Sequence, residues 1–510
     1  MNSIQQCVFR VLNRSILNPR NAFEGTCLIR SYRRGRYSAM DSLYSRICSI
    51  GNPNLSVVPV LDQWLQEGKN FRDFEHRQVI RNLRYRKRYF HALEISEWMS
   101  GKGLLPLSPG DCAVQLDLIG TVRGLKAAEI FFHNLSDQEK IDKTYGALLN
   151  CYVREGLIDK SLSLMQKMKE MGFASSALSY NDIMCLYAHT GQIEKIPDVL
   201  SEMKKNGVSP NNFSYKICIN SYGRRSQIES MEKVLEEMEN DHQISVDWST
   251  YCTVANCYIK NGFNEKALIF LKKSETKLHK DAVGYNYLIS LYANLGKKDD
   301  VMRLWSLQKV VCKKLFNRDY IVMLSSLVKL DELEETEALV KEWESSCLYY
   351  DFRVPNVLLI GYCQKGLIEK AEASLQDIIE RGKTPTPNSW AIIAAAHLDK
   401  QNMGKALECM KEALAVQAEN QGWRPKPRLI ISILNWLDKN GEVEELEAFL
   451  RSLENIVLVD RELCHALAEA NFRSSKVVVG IEEGKEADKI DEDEEEKNLL
   501  GEKNLIGKCL

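Results

Sequence analysis

Apolar residues along most of this chain fall on helical stripes, and the stripes come in pairs. Tyr145, Leu148, Leu149 and Tyr152 stand at i, i+3, i+4 and i+7, which is one face of a first helix. Ile196, Leu200 and Met203, like Ala371, Leu375 and Ile378, stand at i, i+4 and i+7 on a second helix. Between the two stripes lies a glycine (Gly156, Gly191, Gly262, Gly296, Gly366, Gly441), where a residue tolerant of positive φ suits a helix end.

The pair itself recurs. Tyr145 matches Tyr180, Tyr152 matches Tyr187, Gly156 matches Gly191, Met168 matches Met203 and Gly172 matches Gly207, all at an offset of 35 residues. The first aromatic position continues as Tyr215, Tyr251, Tyr285 and Tyr320, the second as Tyr222, Tyr258, Tyr292 and Tyr362. Self-similarity at such a period marks a stacked repeat array. A unit of this length cannot bury both stripes against itself, so neighbours must stack and share a core. The expected fold is all-α, an α-solenoid of helical hairpins. Its clearest units are 142–176, 177–211, 212–247, 248–281, 282–316, 317–351 and 352–386, in an array of about nine to ten repeats spanning 109–455. Residues 41–108 are expected to form an N-terminal helical cap with a degenerate first repeat, and 456–474 a C-terminal capping helix.

Thr or Ser followed by Tyr early in the first helix, Gly at the turn, Met late in the second helix and then Gly-x-x-Pro-Asn, as in Gly207 to Asn211, resembles the pentatricopeptide repeat. The resemblance covers roughly Pro109 to Leu453. The preceding segment, with LYSRICSIGNPNLSVVPVLDQWL and HALEISEWM, is similar to the lead-in of plant organelle members made of repeats alone. The resemblance implies single-stranded RNA as ligand, each repeat presenting side chains to one base. It also implies that the fifth and last residues of a repeat select the base together, an amide at both places suiting a pyrimidine edge. Asn181 with Asn211 forms that pair. Asn356 with Thr386 is a second candidate, Asn286 is matched with Phe316, and Lys216 with Asp247. The fifth residues Gly146, Lys216, Cys252, Ile321 and Ala391 depart from a readable pattern, Lys216 being expected to meet RNA through its charge whatever the sequence.

Charge changes the picture at both ends. Residues 1–40 hold seven arginines against one acid, Glu24, and no lysine, a composition matching an organelle transit peptide. Its arginine density favours a mitochondrial over a chloroplast address. Residues 481–510 hold 11 acids against 5 lysines, and 475–510 reads as an acidic disordered tail. Those termini, +6 and −6, leave the repeat region near the whole-chain −2, so an RNA site must be a local groove. Arg81, Arg84, Arg86, Lys87 and Arg88 interleave with Tyr85, Tyr89 and Phe90, but register places Tyr85 to Arg88 at a turn between helices.

Candidate chemistry is sparse. The 15 cysteines show no pair of zinc-binding C-x-x-C motifs and suit buried apolar thiols. There is no H-x-E deaminase signature, P-loop, H-E-x-x-H or G-x-S-x-G, so neither an enzyme nor a cofactor nor a small-molecule substrate is expected. No apolar run reaches the roughly 20 residues of a membrane span. Two function classes follow: binding of organelle RNA, or a protein scaffold associated with the mitochondrial ribosome or another complex.

Overall fold

The computed structural model describes residues 42–50, 55–69, 73–102, 108–312, 314–347, 349–417, 423–440 and 443–457. The expected transit peptide, most of the expected C-terminal capping helix, the acidic tail and Gly441 lie outside them. Among the described residues every regular element is a helix. The chain divides between Lys277 and Leu278 into two compact units.

The first unit begins with α1 (Leu43–Ser49) and α2 (Val58–Gln66). Hairpins follow: α3 (Asp73–Tyr85) with α4 (Tyr89–Gly101), α5 (Pro109–Val122) with α6 (Leu125–Asn134), and α7 (Asp142–Arg154) with α8 (Ile158–Glu170). Then come α9 (Ala177–His189) with α10 (Ile196–Lys205), α11 (Asn212–Arg224) with α12 (Ile228–Asn240), and α13 (Trp248–Lys260) with α14 (Asn264–Lys277). First helices pack on first helices in the order α5, α7, α9, α11, α13. Sandwiched this way they are buried nearly all round; Ser179 to Tyr187 of α9 are buried without a break. The second helices are amphipathic, α10 burying only Ile196, Val199, Leu200 and Met203.

The second unit repeats the plan. Its hairpins are α15 (Ala282–Asn294) with α16 (Lys298–Cys312), α17 (Asn317–Lys329) with α18 (Leu333–Ser346), and α19 (Pro355–Gln364) with α20 (Ile368–Glu380). They continue with α21 (Pro387–Asp399) and α22 (Met403–Gln417), then α23 (Pro427–Asn440) and α24 (Val443–Val457). Here too first helices stack in sequence, α15 to α23. α19 starts late in its 35-residue unit, after a turn in which Asp351 accepts three hydrogen bonds from the Arg353 guanidinium.

From α7 to α22 the turn inside each hairpin falls at the fifteenth residue of its unit, with φ between 69° and 83° at Gly156, Gly191, Gly262, Gly296 and Gly366. Where glycine is missing the same left-handed geometry persists at Ser226, Asp331 and Gln401. The stacking dictates the turn, and the non-glycine residues carry the strain.

Neighbouring hairpins are sewn together by a motif that uses the second aromatic of the repeat. Tyr258 donates to Glu232 of the preceding second helix at 2.5 Å, and Lys266 of the following one meets the same carboxylate at 2.7 Å while lying over the Tyr258 ring. Tyr362, Glu337 and Lys370 form the same triad at 2.8 and 2.6 Å, as do Tyr152, Glu129 and Lys160. At the next position His397 replaces tyrosine and bonds Glu372, which also meets Lys405. Burial, reinforced by the bonded carboxylate, pushes the Tyr152 phenol up to about 12.

Candidate nucleic-acid interface

The starts of the first helices carry the fifth residues, and the last residues Asn211, Asp247 and Asp281 of the preceding units cap the helices beside them. Asn211 caps α11: its Oδ1 accepts from the backbone N–H groups of Phe213 and Ser214, both at 3.0 Å. The same oxygen accepts from Nδ2 of Asn181, one helix back, at 3.3 Å. Asn181 in turn accepts from Ser214 Oγ at 2.7 Å and is only 2% exposed. Asn181 and Asn211 are therefore brought together, with the Asn211 oxygen saturated and its Nδ2 amide left as the open donor.

Lys216 and Asp247 are also brought together. Asp247 caps α13 by accepting from the Thr250 N–H at 2.8 Å, and its Oδ2 stands 3.7 Å from the Lys216 ammonium. That ammonium donates to Ser249 Oγ at 2.7 Å, and the side chain is buried. Lys216, expected as a cation facing RNA, is instead neutralised inside the protein by the cap of the next helix.

Asn286 does not join Phe316. It donates to Asp319 at 2.7 Å and accepts from Gln308 at 3.0 Å, all three side chains being buried. Phe316 keeps an exposed ring with Lys314 above it. Nor does a hydrogen bond join Asn356 to Thr386 among the described residues. The Asn356 Oδ1 is buried without a partner, while Thr386 shares a 3.0 Å hydroxyl bond with Ser389 at the start of α21. Short side chains at these helix starts find the adjacent cap before they reach solvent, which spacing alone cannot reveal.

A second row escaped sequence reasoning. The thirteenth residues of successive units, at the far ends of the first helices, are Arg154, His189, Arg224 and Lys260. Lys260 is pulled below the ordinary lysine range chiefly by partial loss of water, with the Arg224 charge adding to it. Lys329 holds the same place in the second unit and is lowered by desolvation. A period of 35 applied to cations would have found this row, as it would have found the lysine eight residues after the second aromatic in each triad.

The basic cluster before the array is partly consumed internally. Arg84 meets Asp117 at 3.1 Å, and Arg88 donates to the Ile50 carbonyl at 2.7 Å. Arg86 to Arg88 do form the turn between α3 and α4, and Tyr85 beside it is 75% exposed.

Stacked two-helix units of this length, with capping pairs at one end of the first helices and cations at the other, define a helical-repeat protein. Residues 143–173, 213–242, 249–277, 283–307 and 354–382 match the PPR repeat, and 175–224 match the PPR repeat family. A mitochondrial pentatricopeptide repeat-containing protein of Arabidopsis thaliana is 47% identical over 90% of this chain and 94% of its own. A second mitochondrial one from that plant is 38% identical over 81% and 84%. The large ribosomal subunit protein mL101 (rPPR4) of Arabidopsis thaliana is 42% identical over 81% of this chain and 85% of its own. The crystal structure of the pentatricopeptide repeat protein PPR10 from maize shares 17% identity at a TM-score of 0.47, covering 80% of this chain and 62% of that one. This chain belongs to the pentatricopeptide repeat family.

Proposed function

We propose that this protein binds single-stranded RNA in mitochondria and acts in the processing, stability, splicing or translation of organelle transcripts. The observation that carries this reading is the Asn181–Asn211 pair, whose amides meet at 3.3 Å at the junction of α9 and α11 with a free Nδ2 donor. An amide edge offers hydrogen bonds to a base, and the cations at Arg224 and Lys260 supply phosphate contacts along the same helices, whereas Arg154 is held by Asp117 at 3.5 Å. Lys216 with Asp247 adjoins the reading pair as a closed ion pair, and Asn286, Asn356 and Thr386 serve mainly to hold their helices. The mitochondrial names of the relatives and the arginine-rich leader support the location. No catalytic step belongs to this reading. Ultraviolet crosslinking of the tagged protein in isolated mitochondria, followed by sequencing, should recover one or a few transcript segments. Recovery of no RNA above an untagged control would overturn it.

The second reading, a scaffold on the mitochondrial ribosome, is favoured by the 42% identity to mL101. Co-sedimentation of the protein with the large ribosomal subunit after nuclease treatment would support it.

A further inference from the structure

Between the two rows at the ends of the first helices lies a third position, the ninth residue of each unit. In the first compact unit it is Asn150 on α7, Cys185 on α9, Asn220 on α11 and Asn256 on α13. Asn150 is already engaged, donating to Asp117 at 3.1 Å, and Cys185 is a buried thiol. The other two are uncommitted: neither the Asn220 nor the Asn256 side chain makes a hydrogen bond among the described residues.

Both amides lie on the side of their helix away from the second helices. From Phe213 to Gly223 every residue of α11 is buried except Asn220 and Tyr222. Tyr222 belongs to the row of second aromatics and has the Asp198 carboxylate of α10 near it. Asn220, two residues earlier on a helix of about 3.6 residues per turn, points roughly the opposite way. It stands one turn from Lys216 on one side and one turn from Arg224 on the other. Asn256 stands likewise one turn before the exposed Lys260; it is 8% exposed, and neither of its amide atoms is sealed from solvent. Asparagine is a poorer helix former than alanine, and at these two helix centres it satisfies no group inside the protein. Its use therefore lies in what the face binds.

We propose that Asn220 and Asn256 hydrogen-bond the ribose 2′-hydroxyls of the bound strand and so make the protein prefer RNA to DNA. The inference rests on the RNA reading above and adds to it the choice of sugar. Fifth and thirteenth residues are eight apart, about 12 Å along the helix, with the ninth midway. A strand whose base edges meet the helix starts and whose phosphates meet Arg224 and Lys260 carries its sugars past the ninth residues, because the ribose is what joins base to phosphate. A 2′-hydroxyl both donates and accepts, and a primary amide offers the complement of each. A phosphate would instead call for a cation, which each helix supplies one turn further on.

The test measures equilibrium binding of the full-length protein at low salt to two fluorescein-labelled probes. One is an RNA of alternating uridine and cytidine; the other has the same bases on deoxyribose throughout. The wild type should bind the ribose probe more tightly. Combining Asn220→Ala with Asn256→Ala should weaken binding of the ribose probe about tenfold, the loss of two ordinary hydrogen bonds. Affinity for the deoxyribose probe should not change, which also shows that the double variant is folded. An equal loss on both probes would mean that the amides read base or phosphate, and an unchanged affinity for the ribose probe would mean that they touch nothing; either result overturns the proposal. A wild type that binds neither probe would sink the RNA reading itself, and this inference with it, whereas a wild type that binds both equally would sink only the choice of sugar.

Discussion

The seam between hairpins and the starts of the first helices are built on the same period but obey it differently. At the seam, Tyr152, Tyr258 and Tyr362 each meet a glutamate before them and a lysine eight residues after them, so the triad recurs residue for residue. At the helix starts, the fifth residues Asn181, Lys216 and Asn286 each bond a different partner, namely Asn211, Ser249 and Asp319. The same docking problem is solved in this one way at three junctions, and with His397 in place of tyrosine at a fourth. A surface that discriminates among ligands gains nothing from uniformity. On the proposed function, the seam carries the fold and the helix starts the choice of ligand.

Breaking the seam should cost stability and leave recognition intact. The largest effect is expected where α11 and α13 approach most closely: a Cβ on Gly223 would collide with the Cβ and Sγ of Cys257. Gly223→Val should destabilise by about 3 kcal/mol through overpacking, read as a lowered melting temperature by calorimetry. Next, Tyr258→Phe removes a hydrogen bond to the ionised Glu232 and should cost about 2 kcal/mol. Its check is the denaturant midpoint, followed by helical circular dichroism.

Acid should loosen the seam by the same logic. The hydrogen bonds from Lys160, Lys266 and Lys370 hold Glu129, Glu232 and Glu337 below the ordinary carboxylate range. A group whose folded pKa is depressed contributes stability that is complete above its unfolded value, about 4.3, and is lost as pH falls through the folded value. The melting temperature should accordingly hold from neutrality to about pH 5 and drop below it. At the other extreme Tyr152 and Tyr251, both pushed up to about 12 by burial first and by Glu129 and Glu239 after it, stabilise the fold below pH 10. That contribution disappears as pH rises toward 12. The smallest effect is a gain: Gln401→Gly relieves a left-handed residue and should add about 1 kcal/mol.

The fold was legible because packing leaves periodic marks. The paired stripes, the turn at the fifteenth residue and the recurring tyrosines place the first helices at Asp142, Ala177, Asn212, Trp248, Ala282 and Asn317, where those helices begin. The turns at Ser226, Asp331 and Gln401 were hidden, since neighbours impose the conformation on residues that do not prefer it. The candidate interface was half legible. The family resemblance paired Asn181 with Asn211, and the two meet because cap and fifth residue are fixed by the stacking of adjacent first helices; Lys216, a departure from that pattern, meets Asp247 for the same reason. The resemblance could not anticipate that Asn286 turns to Gln308 and Asp319, a choice made by side-chain reach inside the packed unit.

The central claim is that the helix starts recognise RNA while the seam merely supports them. Its most direct test is a salt-titrated equilibrium binding measurement with the crosslinked RNA, comparing Asn181→Ala, Arg224→Gln, Lys216→Met and Tyr258→Phe at a temperature where all remain folded. Asn181→Ala should weaken binding by about 1 to 3 kcal/mol and relax pyrimidine preference at one nucleotide. Arg224→Gln should weaken all sequences alike and lower the salt slope by about 1. Lys216→Met, whose charge Asp247 already balances, and Tyr258→Phe should leave affinity and slope unchanged. Wild-type affinity and base preference in Asn181→Ala, or a loss in Tyr258→Phe as large as in Asn181→Ala, would contradict the division of labour between the two rows.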